Sequence, residues 1–148
     1  MSQSLSAIRD RVGQILQDPT GLVFDSATLD GSIRSAVADL ALAKGALQTV
    51  TGLDGEVTTS FSDLEANVVE SGAAAYAVLG RVIRRSESFN LKQSVPLEIR
   101  QWADTRMQDF QRMLEQIRCG TFHAAAVIPW PARGWGMDEW DVNAGREP

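Results

Sequence analysis

Apolar residues recur three and four positions apart in the first segment of the chain, the spacing of one face of a helix. Ser4 can cap this helix and Asp18-Pro19 ends it. A second helix is predicted to begin at Asp25-Ser26 and to end at Gly45, and Gly31 inside it is either exposed or closely packed. The apolar positions of the two helices are Leu5, Ile8, Val12, Ile15 and Leu16, then Leu29, Ile33, Val37 and Leu40.

Two longer helical patterns follow. The third helix is predicted to begin at Ser62-Asp63, and its small residues Gly72–Ala75 permit close approach of another helix. The fourth begins near Pro96, because proline fits the first turn of a helix but forces its predecessor out of helical geometry. Each would be roughly 35 Å long with about ten residues between them, so we expect an antiparallel pair, with Phe89 and Leu91 plugging its end. The stripe of the fourth helix comprises Ile99, Trp102, Arg106, Phe110, Met113, Leu114 and Ile117.

The pattern differs between Ala46 and Phe61, where β-branched residues lie on both sides of Asp54-Gly55. This spacing predicts either a short β-hairpin or an extended loop. Because an isolated two-stranded hairpin is marginally stable in water, we expect this segment to pack against something else, such as a second subunit. Its candidate contact residues are Thr49, Val50, Thr51, Val57 and Thr58.

Helical periodicity fails after Gly120. The remaining segment holds three of the four tryptophans and three of the five prolines. Disordered tails are ordinarily poor in aromatic residues, and tryptophans that cannot join a core are better explained by burial on a partner. We therefore interpret residues 121–148 as an extended docking tail. Its candidate interface residues are Ile128, Trp130, Trp135, Met137 and Trp140.

The sequence thus predicts an all-α fold. Residues 1–120 would form a helical bundle of about four helices that contains the long antiparallel pair. At 148 residues the chain can bury a single modest core.

A net charge of −5 argues against a surface that coats nucleic acid. No apolar run is long enough to span a membrane, and the N-terminus lacks a secretory signal, so we expect a soluble protein of the cell interior or of something assembled there.

The candidate chemistry is sparse. Cys119 and His123 are the only residues of their types, and four residues apart they are better interpreted as helix-end packing than as a catalytic or structural zinc site. No glycine-rich loop has the spacing of a nucleotide site, and Glu65 and Glu70 do not share a helical face as a di-iron bundle requires. Arg81, Arg84 and Arg85 are expected to complement the negative end of the third helix. We therefore predict no catalytic residue, cofactor or metal, and no enzymatic activity.

Several stretches together resemble one family. LSAIRDRVGQILQDP is followed by Phe24–Leu29 and by the Ala-rich IRSAVADLALAKG, and later come VVESGAAAYAVLGRVIRRSESFNL and VPLEIRQWADTRMQDFQRMLEQIR. In this order they resemble the head-tail connector proteins, or adaptors, of tailed bacteriophages, over about Leu5 to Arg118. The chain departs from that pattern in its Thr/Val segment and in its Trp-rich tail.

The resemblance implies a structural virion protein of the neck, assembled in the cytoplasm of a host bacterium. Such a subunit forms a homo-oligomeric ring, typically a dodecamer, beneath the portal protein. The ring joins the portal to a tail or stopper protein and lets DNA pass through its lumen without sequence-specific binding. The tail residues would then dock onto the portal or onto a neighbouring subunit and become ordered on assembly.

A second interpretation comes from a different class of protein. A soluble helical regulatory or scaffold protein could bind a single partner through the same C-terminal tail. An enzyme ranks third, since its activity would have to depend on His123 or Cys119.

Overall fold

The structure is a computed structural model that describes residues 3–87 and 97–126, with the side chains of residues 3–84 and 97–120. These residues form four helices: α1 (Leu5–Ile15), α2 (Ser26–Lys44), α3 (Asp63–Glu87) and α4 (Leu97–Ala126). Because no strand occurs among them, the predicted all-α fold class is confirmed. The chain divides into two compact units, Met1–Arg118 and Cys119–Pro148, and the core and the groove described below belong to the first.

Side chains and glycine fix the helix ends that the sequence predicted. Ser4 accepts a hydrogen bond from the backbone N–H of Ala7 at the start of α1, and Asp25 caps α2 through the N–H of Thr28. At the other end of α2, Gly45 has the left-handed φ of 65° that stops a helix. These caps set the lengths of the first two helices.

A reciprocal capping box begins α3. The Ser62 hydroxyl accepts from the backbone N–H of Glu65, and the Glu65 carboxylate accepts from the N–H of Ser62 at 2.8 Å. The same carboxylate lies 2.8 Å from Nζ of Lys44, in the last turn of α2. The end of α2 is therefore tied to the start of α3 across the segment that joins them.

Apolar faces of all four helices enclose one core. The largest fully buried side chains come from α1, α2, α3, α4 and the segment between α2 and α3: Phe110, Ile8, Ile33, Leu40, Val12, Val50 and Val69. Most apolar positions that the sequence placed on the inner faces of α1 and α2 are buried, whereas Ile15 and Leu16 are only partly buried. The core therefore follows the helical spacing in the sequence.

The fourth helix packs antiparallel to the third. Phe110 of α4 lies against Gly72 and makes an edge-to-face contact with Tyr76, with 6.2 Å between ring centroids. Trp102, near the start of α4, lines the same groove as Val82, near the end of α3. The expected antiparallel pair is thus observed, and the connecting residues Phe89 and Leu91, expected to plug its end, lie outside the described residues.

The segment between α2 and α3 is an extended loop and not a β-hairpin. Its two arms are joined partly through side chains: the Thr49 hydroxyl donates to the carbonyl of Thr58, and the Thr59 hydroxyl accepts from the N–H of Thr51. A single parallel bridge links Thr51 to Ser4 before α1. Hydroxyl groups take the place of some ladder hydrogen bonds, which explains why β-branched threonine there does not produce strands.

A half-buried ion pair holds α1 against α3. Nε of Arg11 lies 2.6 Å from a carboxylate oxygen of Glu70, and Nη2 of Arg11 donates to Gln3 at 2.7 Å. Burial raises the pKa of Glu70 although Arg11 lowers it, so desolvation outweighs the charge attraction. Because desolvation offsets the attraction between the charges, a pair of this kind contributes little net stability.

Two details of the helices settle questions left by the sequence. Gly31 has no atom outside its own helix within 4 Å of where a Cβ would lie, so it is not closely packed. The backbone of α4 continues through Ala126, beyond Gly120, where apolar periodicity stops. A helix can continue without an apolar stripe, which is why periodicity misplaced this end.

The contact at Gly72 predicts a large effect of a single methyl group. A Cβ there would lie 2.5 to 2.7 Å from three ring atoms of Phe110, which is fully buried. Gly72→Ala should therefore lower the free energy of unfolding, measured by urea denaturation, by about 1–3 kcal/mol, the usual cost of overpacking a core.

Gly80→Ala is the matched control on the same helix, because nothing lies within 4 Å of its Cβ position. That variant should gain up to about 1 kcal/mol from helix propensity. Equal stabilities for the two variants would contradict the close packing.

Candidate interaction surface

An apolar groove of about 610 Å³ opens near the start of α4. The end of α1, the loop before α2, the last turns of α3 and the first turns of α4 form its walls. We call it the α4 groove. Its lining residues are Ile15, Leu16, Gln17, Val23, Phe24, Val78, Arg81, Val82, Glu98, Ile99 and Trp102.

Large apolar side chains at the α4 groove remain exposed to solvent. Val23 is 49% exposed and Ile99 is 45% exposed, although both line the groove. Leu22, which precedes Val23, and Leu97, two residues before Ile99, are exposed by 88% and 67%. Single exposed leucines are ordinary, but a groove lined by large apolar side chains that stay about half exposed is a candidate interaction site.

One carboxylate orders the loop that forms a wall of this groove. Asp18 accepts hydrogen bonds from three successive backbone N–H groups, those of Leu22, Val23 and Phe24, at 2.8 to 3.0 Å. Gly21, with a φ of +67°, makes the turn that brings these groups back to the carboxylate. The Asp18-Pro19 stop signal seen in the sequence thus has a second role, since it shapes the loop between α1 and α2.

Arg81 fixes the same loop from the side of α3. Its Nη1 donates to the carbonyl of Val23 at 2.8 Å, and its guanidinium lies 5.5 Å from the centre of the Phe24 ring. Arg81 is thus engaged with the neighbouring loop, and the expected role of the arginines at the negative end of α3 stays a prediction. Arg81 is a half-buried cation in the groove wall.

The α4 wall has a comparable cation–aromatic contact. The guanidinium of Arg106 lies 5.4 Å from the centre of the Trp102 ring. This explains the arginine in the apolar stripe of α4, because one turn after Trp102 its guanidinium packs over the indole ring. Trp102 is partly buried against the core, so it is the described tryptophan that the bundle itself uses.

Backbone donors govern the charge of Asp18. The hydrogen bond from Phe24 is the main cause that lowers the pKa of Asp18 from its usual 3.8, with help from Val23, Leu22 and the nearby Arg81. Burial acts in the opposite direction but is outweighed. The carboxylate is therefore ionised at neutral pH, which its role as an acceptor of three hydrogen bonds requires.

The loop residues chosen as candidate subunit contacts differ in exposure. Val50 is fully buried in the core of its own chain, whereas Val57 is 81% exposed. Thr58 is exposed, and Thr49 and Thr51 are partly exposed and hydrogen-bonded within the loop. An adjacent subunit can therefore reach Val57 and Thr58 but not Val50.

The candidate residues of the tail lie outside the described residues. These are Ile128, Trp130, Trp135, Met137 and Trp140. The structure consequently neither brings them together nor separates them, and their role in docking stays a prediction.

The described residues contain no group of three or more His, Cys, Asp or Glu side chains placed to hold a metal ion. Cys119 is exposed, and the side chain of His123 lies outside the described side chains. None of the described helices is long and apolar enough to cross a membrane.

Sequence reasoning missed the α4 groove because its parts are distant in the chain. Val23, Arg81 and Ile99 come from three separate segments, and helical spacing marks only the faces that point inward. A weak signal was present in the Asp-Pro pair with Gly21 three residues after Asp18, which is typical of a carboxylate that organises a turn.

Comparison with protein-family models, curated proteins and solved structures finds no match to this chain.

Asp18 should make the stability of the protein depend on pH in one direction. Asp18→Asn replaces an acceptor oxygen with an NH₂ donor that faces a backbone N–H, so the thermal midpoint should fall at pH 7. Because the folded pKa is lowered, this contribution is complete above the unfolded pKa near 3.8 and is lost as pH falls through the folded pKa.

The difference in midpoint between wild type and Asp18→Asn should therefore be constant from about pH 5 to 7 and shrink below about pH 4. The control is Asp104→Asn, which changes an exposed carboxylate on α4 and should leave the midpoint unchanged. A difference for Asp18→Asn that stays the same across this whole range would rule out the proposed role of the carboxylate.

Proposed function

We propose that this chain is a head-tail connector subunit of a tailed bacteriophage. Copies of it would form a ring, typically a dodecamer, between the portal protein and a tail or stopper protein, with DNA passing through the lumen. The resemblance of residues 5–118 to connector proteins supports this function. The all-α bundle with its long antiparallel pair agrees with what that resemblance implies.

The observation that carries the proposal is the exposed apolar surface of a bundle that already has a complete core. Val23 and Ile99 are about half exposed at the α4 groove, while fully buried side chains such as Ile8, Ile33 and Phe110 fill the interior. Further exposed apolar residues lie away from the groove: Leu42, Leu47, Val57 and Leu64. A subunit that contacts neighbours on several sides needs such surface, whereas an isolated bundle does not.

The net charge of −5 suits a channel for DNA. A ring of twelve such chains would carry a charge of about −60, and an acidic lumen would keep DNA from adhering during its passage. Binding of DNA by phosphate contacts would need the opposite charge. The proposed contact with DNA is therefore passage without recognition.

A second candidate is a helical regulatory or scaffold protein with one partner. Each chain has one α4 groove and one Trp-rich tail, and these suffice for a one-to-one complex. The two functions differ in stoichiometry, since a connector binds a portal in many copies and a regulator binds in one.

The tail should be required for attachment and dispensable for the fold. A variant that ends at Ala126 retains all four helices, so its helical circular dichroism should match the full chain after correction for length. It should lose co-sedimentation with the portal assembly of its own virus, because the aromatic anchors are gone. Co-sedimentation of the shortened chain at the level of the full chain would exclude tail docking.

The loop before α3 should contribute to contacts between subunits through its exposed tip. Replacing the whole loop would unfold the chain, since Val50, Leu53 and Phe61 are buried in the core. Val57→Asp is a sharper test, because Val57 is 81% exposed and the charge should leave the thermal midpoint unchanged.

If Val57 faces a neighbouring subunit, Val57→Asp should reduce ring assembly on the portal at least tenfold, roughly the effect of 1.4 kcal/mol at each contact. Val57→Thr keeps the shape of the side chain without a charge and should assemble normally. Normal assembly of Val57→Asp would remove this loop from the interface.

A further inference from the structure

The loop between α2 and α3 ends in an extended stretch that lies at the surface. Residues 56–60 contain no turn or bend, and we call them the outer arm of the loop. Val57 is 81% exposed, Thr58 is exposed and Thr59 is partly exposed. The backbone of the outer arm can therefore be reached from solvent.

Alternate residues of the outer arm face the rest of the loop. The carbonyl of Thr58 accepts from the Thr49 hydroxyl at 2.9 Å, and the N–H of Ser60 donates to the Thr49 carbonyl at 3.1 Å. In an extended chain the N–H and C=O of one residue point to one side, and those of the next residue point to the other. The backbone groups of Val57 and Thr59 consequently point away from the loop.

These outward groups have almost no partner within the chain. Among the described residues, nothing hydrogen-bonds to the N–H of Val57 or to the backbone N–H and C=O of Thr59. The C=O of Val57 accepts one long bond, 3.4 Å from the Thr51 hydroxyl. Unpaired donors and acceptors along an extended segment are a template for pairing with another strand, and no lysine or proline of the outer arm prevents it.

A second copy of the outer arm fits this edge. In an antiparallel pair with a two-fold axis at Thr58, Val57 of one copy lies opposite Thr59 of the other, and their outward backbone groups meet. Glu56 is the charged residue of the arm, and it then lies opposite Ser60, so no like charges face each other. Opposed threonines at the axis are a favourable cross-strand pair.

We infer that two copies of this chain associate by antiparallel pairing of their outer arms. The N–H of Val57 in each copy donates to the C=O of Thr59 in the other, and the N–H of Thr59 donates to the C=O of Val57. The contact is isologous, because the same surface serves both copies. This inference concerns the chain on its own and does not rest on the connector function.

Pairing of the outer arms has a consequence for assembly. A two-fold contact joins two copies and goes no further, so it cannot close a ring by itself. It covers Val57 and Thr58, the exposed tip assigned above to contacts between connector subunits. In a connector, the paired chains would have to separate at this edge before the tip could reach a neighbour in the ring.

The mass of the full chain as a function of its concentration tests the pairing. In sedimentation equilibrium, the mean mass of the wild type should rise from 16.1 kDa towards twice that value as the concentration approaches about 1 mM. Thr58→Lys places like charges on the two-fold axis and should weaken association at least about tenfold, and Thr58→Glu should do the same. A wild type that stays monomeric at every concentration would overturn the inference.

Thr20→Lys is the matched control for the charge. Thr20 is an exposed threonine in the loop between α1 and α2, so this variant should associate as the wild type does. An equal loss of association in Thr20→Lys would assign the effect to net charge and overturn the pairing. Helical circular dichroism of all three variants should match the wild type, because the side chains of Thr20 and Thr58 are exposed.

A mixture of the two Thr58 variants is the sharpest test of the two-fold register. Equal amounts of Thr58→Lys and Thr58→Glu should associate at least about tenfold more strongly than either variant alone, because opposite charges then face each other at the axis. No gain in the mixture would overturn the proposed register.

Hydrogen exchange followed by NMR locates the contact in the wild type. The amides of Val57 and Thr59 should exchange at least about tenfold more slowly at the highest concentration than at the lowest, because pairing protects their outward N–H groups. The amide of Thr58 faces inward and should change less. Protection that appears only in other segments would overturn the outer arm as the contact.

Discussion

The contact between Phe110 and Gly72 determines where α4 lies on α3. A side chain at position 72 would occupy the space of the Phe110 ring, so the packing of Phe110 against α3 depends on the absence of a Cβ there. With Phe110 buried at this point and Trp102 two turns earlier, the first turns of α4 come beside the last turns of α3. The α4 groove exists because of this arrangement, and so does the exposure of Ile99.

The groove also shows that a small bundle can leave some apolar side chains exposed and still bury a core. Asp18 and Arg81 hold the loop between α1 and α2 through backbone hydrogen bonds, so Val23 is presented to solvent on a fixed scaffold. A surface that is ordered before binding costs less conformational entropy on association. Polar groups therefore position the loop, and its apolar side chain Val23 stays about half exposed.

Helix positions and the core followed from the sequence because they depend on local spacing and on caps such as Asp25 and Gly45. The pairing of α3 with α4 was also predictable, since small residues at Gly72–Ala75 match a stripe on α4. The groove was not, because Asp18, Arg81 and Ile99 meet only through tertiary packing. The loop between α2 and α3 was ambiguous for a related reason: threonine favours strands by propensity, but its hydroxyl can replace a ladder hydrogen bond.

The mass of the protein, alone and mixed with the portal assembly of its own virus, tests the connector function most directly. Light scattering on a sizing column measures it for both samples. The account predicts that the portal peak gains many copies of the 16.1 kDa chain at once, as a ring requires. An unchanged portal peak, with a stable 16.1 kDa monomer in both samples, would contradict the account and favour a protein with a single partner.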